Sequence, residues 1–264
     1  MLAVERRKLI LNKLQEEKHV VVSELSRQFS VSEETIRRDL ERFEKDELVT
    51  KSYGGAVLRE GVGVEVPFKI RKKRNVLSKR IIGEVIADSI SDGDHILLDP
   101  STTALFVAKM LRSAGKKNIT IITNSVEVLM ECAEYDDWEV ISTGGTMQAE
   151  KFALVGPKAI EGIADFHADK AIISCRGIDM KKGLTDTNIM FSQVKQTMLD
   201  NATERILAVD GSKFDQVCFS RICGLSDIDT VVTDAAPSEA WAGYLKEKGV
   251  TCIYGEKDQS YSIC

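Results

Sequence analysis

Thr35, Arg37 and Arg38 stand close together in Val31-Ser-Glu-Glu-Thr-Ile-Arg-Arg-Asp-Leu40 and offer a hydroxyl and two guanidinium groups. A guanidinium can bridge a guanine edge with two hydrogen bonds or hold a phosphate, so this set suits contact with DNA. The segment that carries it reads as a helix. Ser32 is a good N-cap, because its hydroxyl can accept from a free amide of the first turn. Glutamates follow it where the helix dipole favours acids. Ile36, Leu40 and Phe43 recur at spacings of four and three, so one stripe faces a core. Thr35, Arg37, Arg38, Glu41 and Arg42 lie mostly off that stripe.

The neighbouring elements must position this helix. Val22 to Phe29 reads as a short helix with Leu25 and Phe29 on one face, and Ser30-Val31 as a tight connection. Two helices joined this way make a helix-turn-helix whose second member enters the groove. Val4, Leu9, Ile10, Leu11 and Leu14 suggest a supporting first helix. Leu48 to Tyr53, a Gly54-Gly55 turn and Ala56 to Leu58 read as a hairpin, which completes a winged helix. Arg37 and Arg38 on a merely solvated face is the competing reading, and the order of elements favours DNA.

The formal net charge of the 264 residues is −5. Residues 1–80 hold 19 Lys+Arg against 13 Asp+Glu, and residues 81–264 hold 17 against 28. This division reads as a basic head on an acidic body. Much of the basic excess lies between Lys69 and Arg80, a run that reads equally as a phosphate contact or a solvated linker. The six cysteines form no CxxC pair, and none neighbours His19, His95 or His167 at zinc spacing. Buried thiols in a reducing cytoplasm, with no metal or cofactor, are the expectation. No leader or membrane-spanning run is expected.

Gly61 to Pro67 reads as an extended connection. Beyond it, apolar strands alternate with helical patterns. The strands are Ile96 to Leu98, Ile119 to Thr123, Glu139 to Ser142, Ala171 to Ser174, Ile206 to Val209, Thr230 to Thr233 and Thr251 to Tyr254. The pattern predicts an α/β domain with a mainly parallel sheet covered on both faces. Ligands in such folds bind beyond the carboxyl ends of strands. There the chain places Asp99, Ser101, Thr102 and Thr103, then Thr123, Asn124 and Ser125. Gly144 and Gly145, Arg176 and Gly177, and Asp210 and Lys213 follow later strands. Hydroxyls at a helix N-terminus suit a phosphate, though they also serve as ordinary caps. Together these groups could accept a phosphorylated polyol. Asp99 and Asp210 read equally as ligand contacts or as structural braces.

The chain resembles the DeoR family of bacterial transcriptional regulators. The resemblance rests on Glu5-Arg-Arg-Lys8, Val31-Ser32, Thr35-Ile-Arg-Arg-Asp-Leu40 and Gly54-Gly55-Ala56. In the second domain it rests on Asp99 with Ser101 to Thr103, Thr123-Asn-Ser125, Gly144-Gly145, Gly177-Ile-Asp179 and Asp210 to Phe214. It implies an operator-binding winged helix at 1–59, a linker at 60–75 and an effector domain at 76–264. The effector domain would resemble ribose-5-phosphate isomerase and glucosamine-6-phosphate deaminase. It also implies DNA contacts by Ser32, Thr35, Arg37, Arg38 and Arg42, and by Lys51 and Tyr53 in the wing. The expected protein is a homo-oligomeric repressor, a dimer or tetramer, of a sugar-utilisation operon. Its effector would be a phosphorylated sugar. The alternative is a sugar-phosphate isomerase or deaminase with an accessory DNA-binding head, using Asp99, Asp186 or Asp210. The chain departs from the family at Pro100, at Ser78, at Ile189 to Phe191 and at Cys175-Arg176.

Overall fold

The computed structural model describes residues 3–17, 19–45, 49–58, 66–255 and 261–263. The chain divides into two compact units, Met1–Val66 and Pro67–Cys264.

The first unit runs α1 (Ala3–Glu17), β1 (His19–Val21), α2 (Val22–Phe29), α3 (Glu33–Lys45), β2 (Val49–Ser52) and β3 (Gly55–Leu58). Ile10, Leu14, Leu25, Ile36, Leu40 and Phe43 form its core, whereas Leu9 is exposed. Ser30 ends α2 in the left-handed region, at φ 52°. A buried ion pair, Arg6 Nε to Asp39 Oδ2 at 2.6 Å, ties α1 to α3, with Arg7 at 3.9 Å from the same carboxylate.

The strands form an antiparallel sheet in the order β1-β3-β2, so β1 joins the expected hairpin. Ser52 pairs with Gly55, which makes Tyr53-Gly54 the turn rather than Gly54-Gly55. The two glycines therefore serve different needs. Gly54 supplies φ 84°. Gly55 lies in the strand, where an added Cβ would stand 2.1 Å from the Val20 carbonyl oxygen.

The second unit opens with α4 (Phe68–Lys73) and α5 (Val76–Ser89). It continues as β4 (His95–Leu98), α6 (Thr102–Ser113), β5 (Thr120–Thr123), α7 (Val126–Cys132) and β6 (Glu139–Ser142). A small hairpin, β7 (Thr146–Gln148) and β8 (Ala153–Val155), leads to α8 (Pro157–Ala164) and β9 (Ala168–Ile173). Then come β10 (Gly177–Asp179), β11 (Gly183–Asp186), α9 (Ile189–Asp200), β12 (Ala202–Ala208) and β13 (Ser220–Cys223). The unit closes with β14 (Thr230–Thr233), α10 (Glu239–Glu247), β15 (Thr251–Gly255) and β16 (Tyr261–Ile263).

The main sheet has the order β16-β15-β14-β12-β9-β4-β5-β6, parallel except where β16 pairs with β15. Successive strand residues point to opposite faces. Leu97, Ala171, Ile173, Leu207 and Val231 therefore pack on one side with residues of α8, α9 and α10. Ile96, Leu98, Ile121, Ile172 and Ile206 pack on the other with α5, α6 and α7. This is the two-faced parallel sheet predicted from the apolar runs. A second sheet, β10-β11-β13, is antiparallel.

The stretch expected as a linker at 60–75 is corrected in part. Residues 59–65 lie outside the described residues. Phe68 is fully buried in the core shared with α5 and α6, which stabilises α4 by about 1.5–3 kcal/mol. The boundary also changes the charge reading. Residues 1–66 hold 12 Lys+Arg against 13 Asp+Glu, and residues 67–264 hold 24 against 28. The basic run from Lys69 to Arg80 belongs to the second unit, so the first unit is not a basic head.

Candidate functional site

In the first unit, the Ser32 hydroxyl accepts from the Thr35 amide at 3.3 Å and lies 2.9 Å from the Thr35 hydroxyl. Ser32 thus starts α3 as expected, with the Thr35 hydroxyl beside it. Arg37 meets Glu33 at 3.0 Å and Arg38 meets Glu34 at 3.4 Å, one turn back, with arginine side chains 52% and 75% exposed. Exposed pairs of this kind contribute about 0–1 kcal/mol, so a phosphate or base edge can displace the glutamates. Arg42 is exposed, and Tyr53 stands fully exposed at the wing turn. Lys51, in the wing, is paired as well. Its ammonium lies 3.1 Å from Glu41 and 3.3 Å from Glu44, so it braces the wing against α3. The hydrogen bond to Glu41, chiefly, holds its pKa above the ordinary lysine value.

In the second unit, β4 and β9 are neighbours, and the chain leaves them in opposite directions across the sheet. Such a switch point opens a crevice at the strand ends. Asp99 ends β4 there, fully buried, and accepts from the Ser101 amide at 3.1 Å and the Ser174 amide at 3.0 Å. Lys195, on α9, places its ammonium 2.5 Å from Asp186, 2.7 Å from the Ser174 carbonyl and 3.3 Å from Asp99. Burial alone would raise the Asp186 carboxyl, but the charge and hydrogen bond of Lys195 hold it below the usual range. Burial opposes the Lys195 charge, and the charges of Asp186 and Asp99 outweigh it, raising its pKa.

Several expected contacts already have partners within the protein. The Ser101 hydroxyl caps α6 by accepting from the Ala104 amide at 2.9 Å. The Thr123 hydroxyl donates to the Leu98 carbonyl at 2.6 Å, and Ser125 caps α7. Gly145 and Gly177 make room for the protein's own chain. A Cβ at Gly145 would lie 2.8 Å from the Val155 carbonyl oxygen, and one at Gly177 2.3 Å from that of Gln216. Gly144, at φ 66°, has open space where its Cβ would be. Thr102 and Thr103 are buried at the start of α6. The buried Asn124 donates to the Leu154 carbonyl at 2.7 Å, while its Oδ1 has no partner among the described residues. Asp210 accepts from Asn75 at 3.3 Å and from Ser212, with Lys213 at 4.0 Å. Burial would raise Asp210; the charges of Lys213 and Lys79 and the Ser212 hydrogen bonds hold it low.

Burial also opposes the charge of three cations of this unit: Arg71 and Lys79, from the run that reads equally as a phosphate contact or a linker, and Lys151, which the sequence reading did not single out. Burial and the Arg176 charge push the Arg71 guanidinium, on α4, down to about 9. The same two causes push Lys151 down to about 8. Burial, with the charges of Lys213, Arg71 and Arg74, pushes Lys79 down to about 8. Its ammonium donates to the carbonyls of Arg71, at 2.6 Å, and Arg74, closing the end of α4. Lys195 lies far along the chain from Asp99. Only the sheet order joins them, although the stretch from Asp186 to Lys195 already stood out in the sequence.

Four described cysteines are buried and Cys218 is half-buried, all as free thiols. No helix among the described residues is long and apolar enough to cross a membrane.

Residues 6–61 match the DeoR-like helix-turn-helix domain, and residues 74–235 match the DeoR C terminal sensor domain. The uncharacterized HTH-type transcriptional regulator YulB of Bacillus subtilis (strain 168) is 36% identical over 250 residues, 95% of this chain and 96% of its own. The HTH-type transcriptional repressor GlcR of the same organism is 31% identical and covers 97% of both chains. The glycerol-3-phosphate regulon repressor of Escherichia coli (strain K12) is 29% identical over 90% of this chain and 93% of its own. Among solved structures, ribose 5-phosphate isomerase A of Methanocaldococcus jannaschii aligns over 52% of this chain and 53% of its own, at 18% identity and TM-score 0.37. The eIF2B delta of Chaetomium thermophilum aligns over 62% and 58%, at 17% identity and TM-score 0.45.

Proposed function

The chain belongs to the DeoR family of transcriptional regulators, and from that membership we propose that it represses a sugar-utilisation operon under control of a phosphorylated sugar. It is a regulator rather than an enzyme, as its relatives are named. Operator contact falls to α3, with Thr35, Arg37, Arg38 and Arg42 facing solvent beside the wing. Here Ser32 orders the start of the helix and Tyr53 reaches the backbone. The effector lies at the carboxyl ends of β4, β5, β9 and β12. The observation that carries this reading is a switch point lined with buried hydroxyls and amides, in a unit where burial opposes the charge of buried Lys79 and half-buried Arg71 and Lys151. Asp99, Ser101, Thr123 and Ser125 shape the site, while Thr102, Thr103, Asn124, Gly144, Arg176 and Lys213 contact the ligand. Gly145 and Gly177 let the loops close around it.

Symmetric operators call for a homo-oligomer, a dimer or tetramer. The effector acts by binding the DNA-bound and DNA-released states unequally. Gel retardation of a palindromic fragment from upstream of the operon tests the reading. Retardation at low salt, relieved by one sugar phosphate and not by its parent sugar, is expected. No retardation at low salt would sink the DNA half, and retardation untouched by any sugar phosphate would sink the effector half.

A further inference from the structure

We propose that the buried pair of Arg6 and Asp39 is a rotational lock on α3. It sets which side of the reading helix faces the groove, and so serves operator discrimination rather than stability. This rests on α3 being the helix that reads the operator.

The pair stands on two buried stripes. On α1, Arg6, Ile10 and Leu14 recur every four residues and all are buried. On α3, Ile36, Asp39, Leu40 and Phe43 are buried, while Arg37, Arg38, Glu41 and Arg42 between them are exposed. Each stripe thus has a charge at one position where an apolar residue would pack. The Arg6 Nε donates to Asp39 Oδ2 at 2.6 Å, and Arg7 lies 3.9 Å from Oδ1, so α1 engages both oxygens of the carboxylate. The side chains of Arg6 and Asp39 are only 8% and 6% exposed.

Taking two charges out of water offsets much of their attraction, and apolar residues of similar volume in their place are often neutral or stabilising. Stability therefore does not explain the pair. Direction explains it. Apolar burial is non-directional and lets a helix roll over its neighbours. A charge-assisted hydrogen bond weakens steeply once it is misaligned. Arg38 directly precedes Asp39, and Arg37 stands one place before that. The roll angle fixed by the pair is therefore the angle at which both guanidiniums leave the helix. Side chains end about 5–6 Å from a helix axis, so a roll of about 20° moves them by about 2 Å. A two-bond contact with a base edge does not survive such a shift.

The full-length protein tests this on two duplexes, one that the wild type selects from a random pool and a shuffled one of the same composition. Fluorescence anisotropy gives the ratio of the two affinities. Amide exchange at Leu40 and Phe43 reports the stability of the first unit. Arg6→Met with Asp39→Leu should keep wild-type protection and wild-type affinity for the shuffled duplex. The ratio should narrow at least about tenfold, the order of one good base contact. Arg6→Leu with Asp39→Met reverses the volumes and carries the test if the first double variant unfolds the unit. Asp39→Asn should do the opposite. It leaves an acceptor for Arg6 but strands the charge, so protection falls while the ratio stays near wild type. A wild-type ratio in the apolar variants, or equal loss on both duplexes, overturns the lock. Lost protection in both apolar variants also overturns it, because stability would then explain the pair. A wild type that selects no duplex sinks the reading of α3 itself.

Discussion

At Lys195 one ammonium serves Asp186, Asp99 and the Ser174 carbonyl, all away from water. Lys195→Met strands two carboxylates in the interior, and such broken buried pairs cost about 3–5 kcal/mol. Urea unfolding monitored on the second unit should show that loss, and a change under 1 kcal/mol, within the range of about 0–1 kcal/mol for an exposed pair, would contradict it. Arg38 presents the opposite case, a side chain whose ion pair among the described residues is an exposed one with Glu34. Arg38→Ala should leave the melting midpoint in place and weaken operator binding by about 1–3 kcal/mol if it reads a guanine edge. Fluorescence anisotropy against the operator measures this. Arg38 was legible because its helix announces itself by N-cap and periodicity. Lys195 was not, because nothing local in Ser192-Gln-Val-Lys195 says that two aspartates wait across the fold.

The elements most legible in the sequence were the parallel strands, since burial on both faces leaves long apolar runs. Those hidden were β1, β7, β8, β10, β11, β13 and β16, each three or four residues long. A strand that short shows too few alternations to declare a period. Helix α5 was hidden differently: Ile82, Val85 and Ile86 mark its buried face, but the basic run before it reads as linker. At β3 the reason for glycine emerged only from the pairing. Gly55→Val should push β1 off β3, since its Cβ would lie 2.1 Å from Val20's carbonyl oxygen. The expected outcome is lost wing structure and lost operator binding with sensor melting unchanged, checked by amide exchange of Val20 and Val57.

For the whole molecule, the proposed effector binding should be coupled to protons. Lys79 and Lys151 sit near about 8 in the folded chain. Both are charged below that pH and lose charge above it, so affinity for an anionic effector falls as pH rises through 8. An anion bound beside them raises both values, so binding near pH 8 takes up protons. Calorimetry in buffers of different ionisation enthalpy measures the uptake, and none at pH 8 would contradict the site. Stability carries the same sign. The unfolded chain holds more protons between about 8 and 10.5, so these two lysines cost stability at neutral pH and the cost fades as pH rises through that window.

The first unit, with 12 basic and 13 acidic residues, is almost neutral. Non-specific affinity for DNA comes from neutralising phosphates, and a neutral module has little of it. A lone head would therefore leave bulk DNA quickly and hold even a cognate half-site briefly. In the proposed oligomer, residence comes from tethering: once one head is bound, the second meets its half-site at a high effective concentration. An effector then need not spoil any contact between arginine and base. Changing the distance at which two heads are presented is enough to convert avid binding into two weak events.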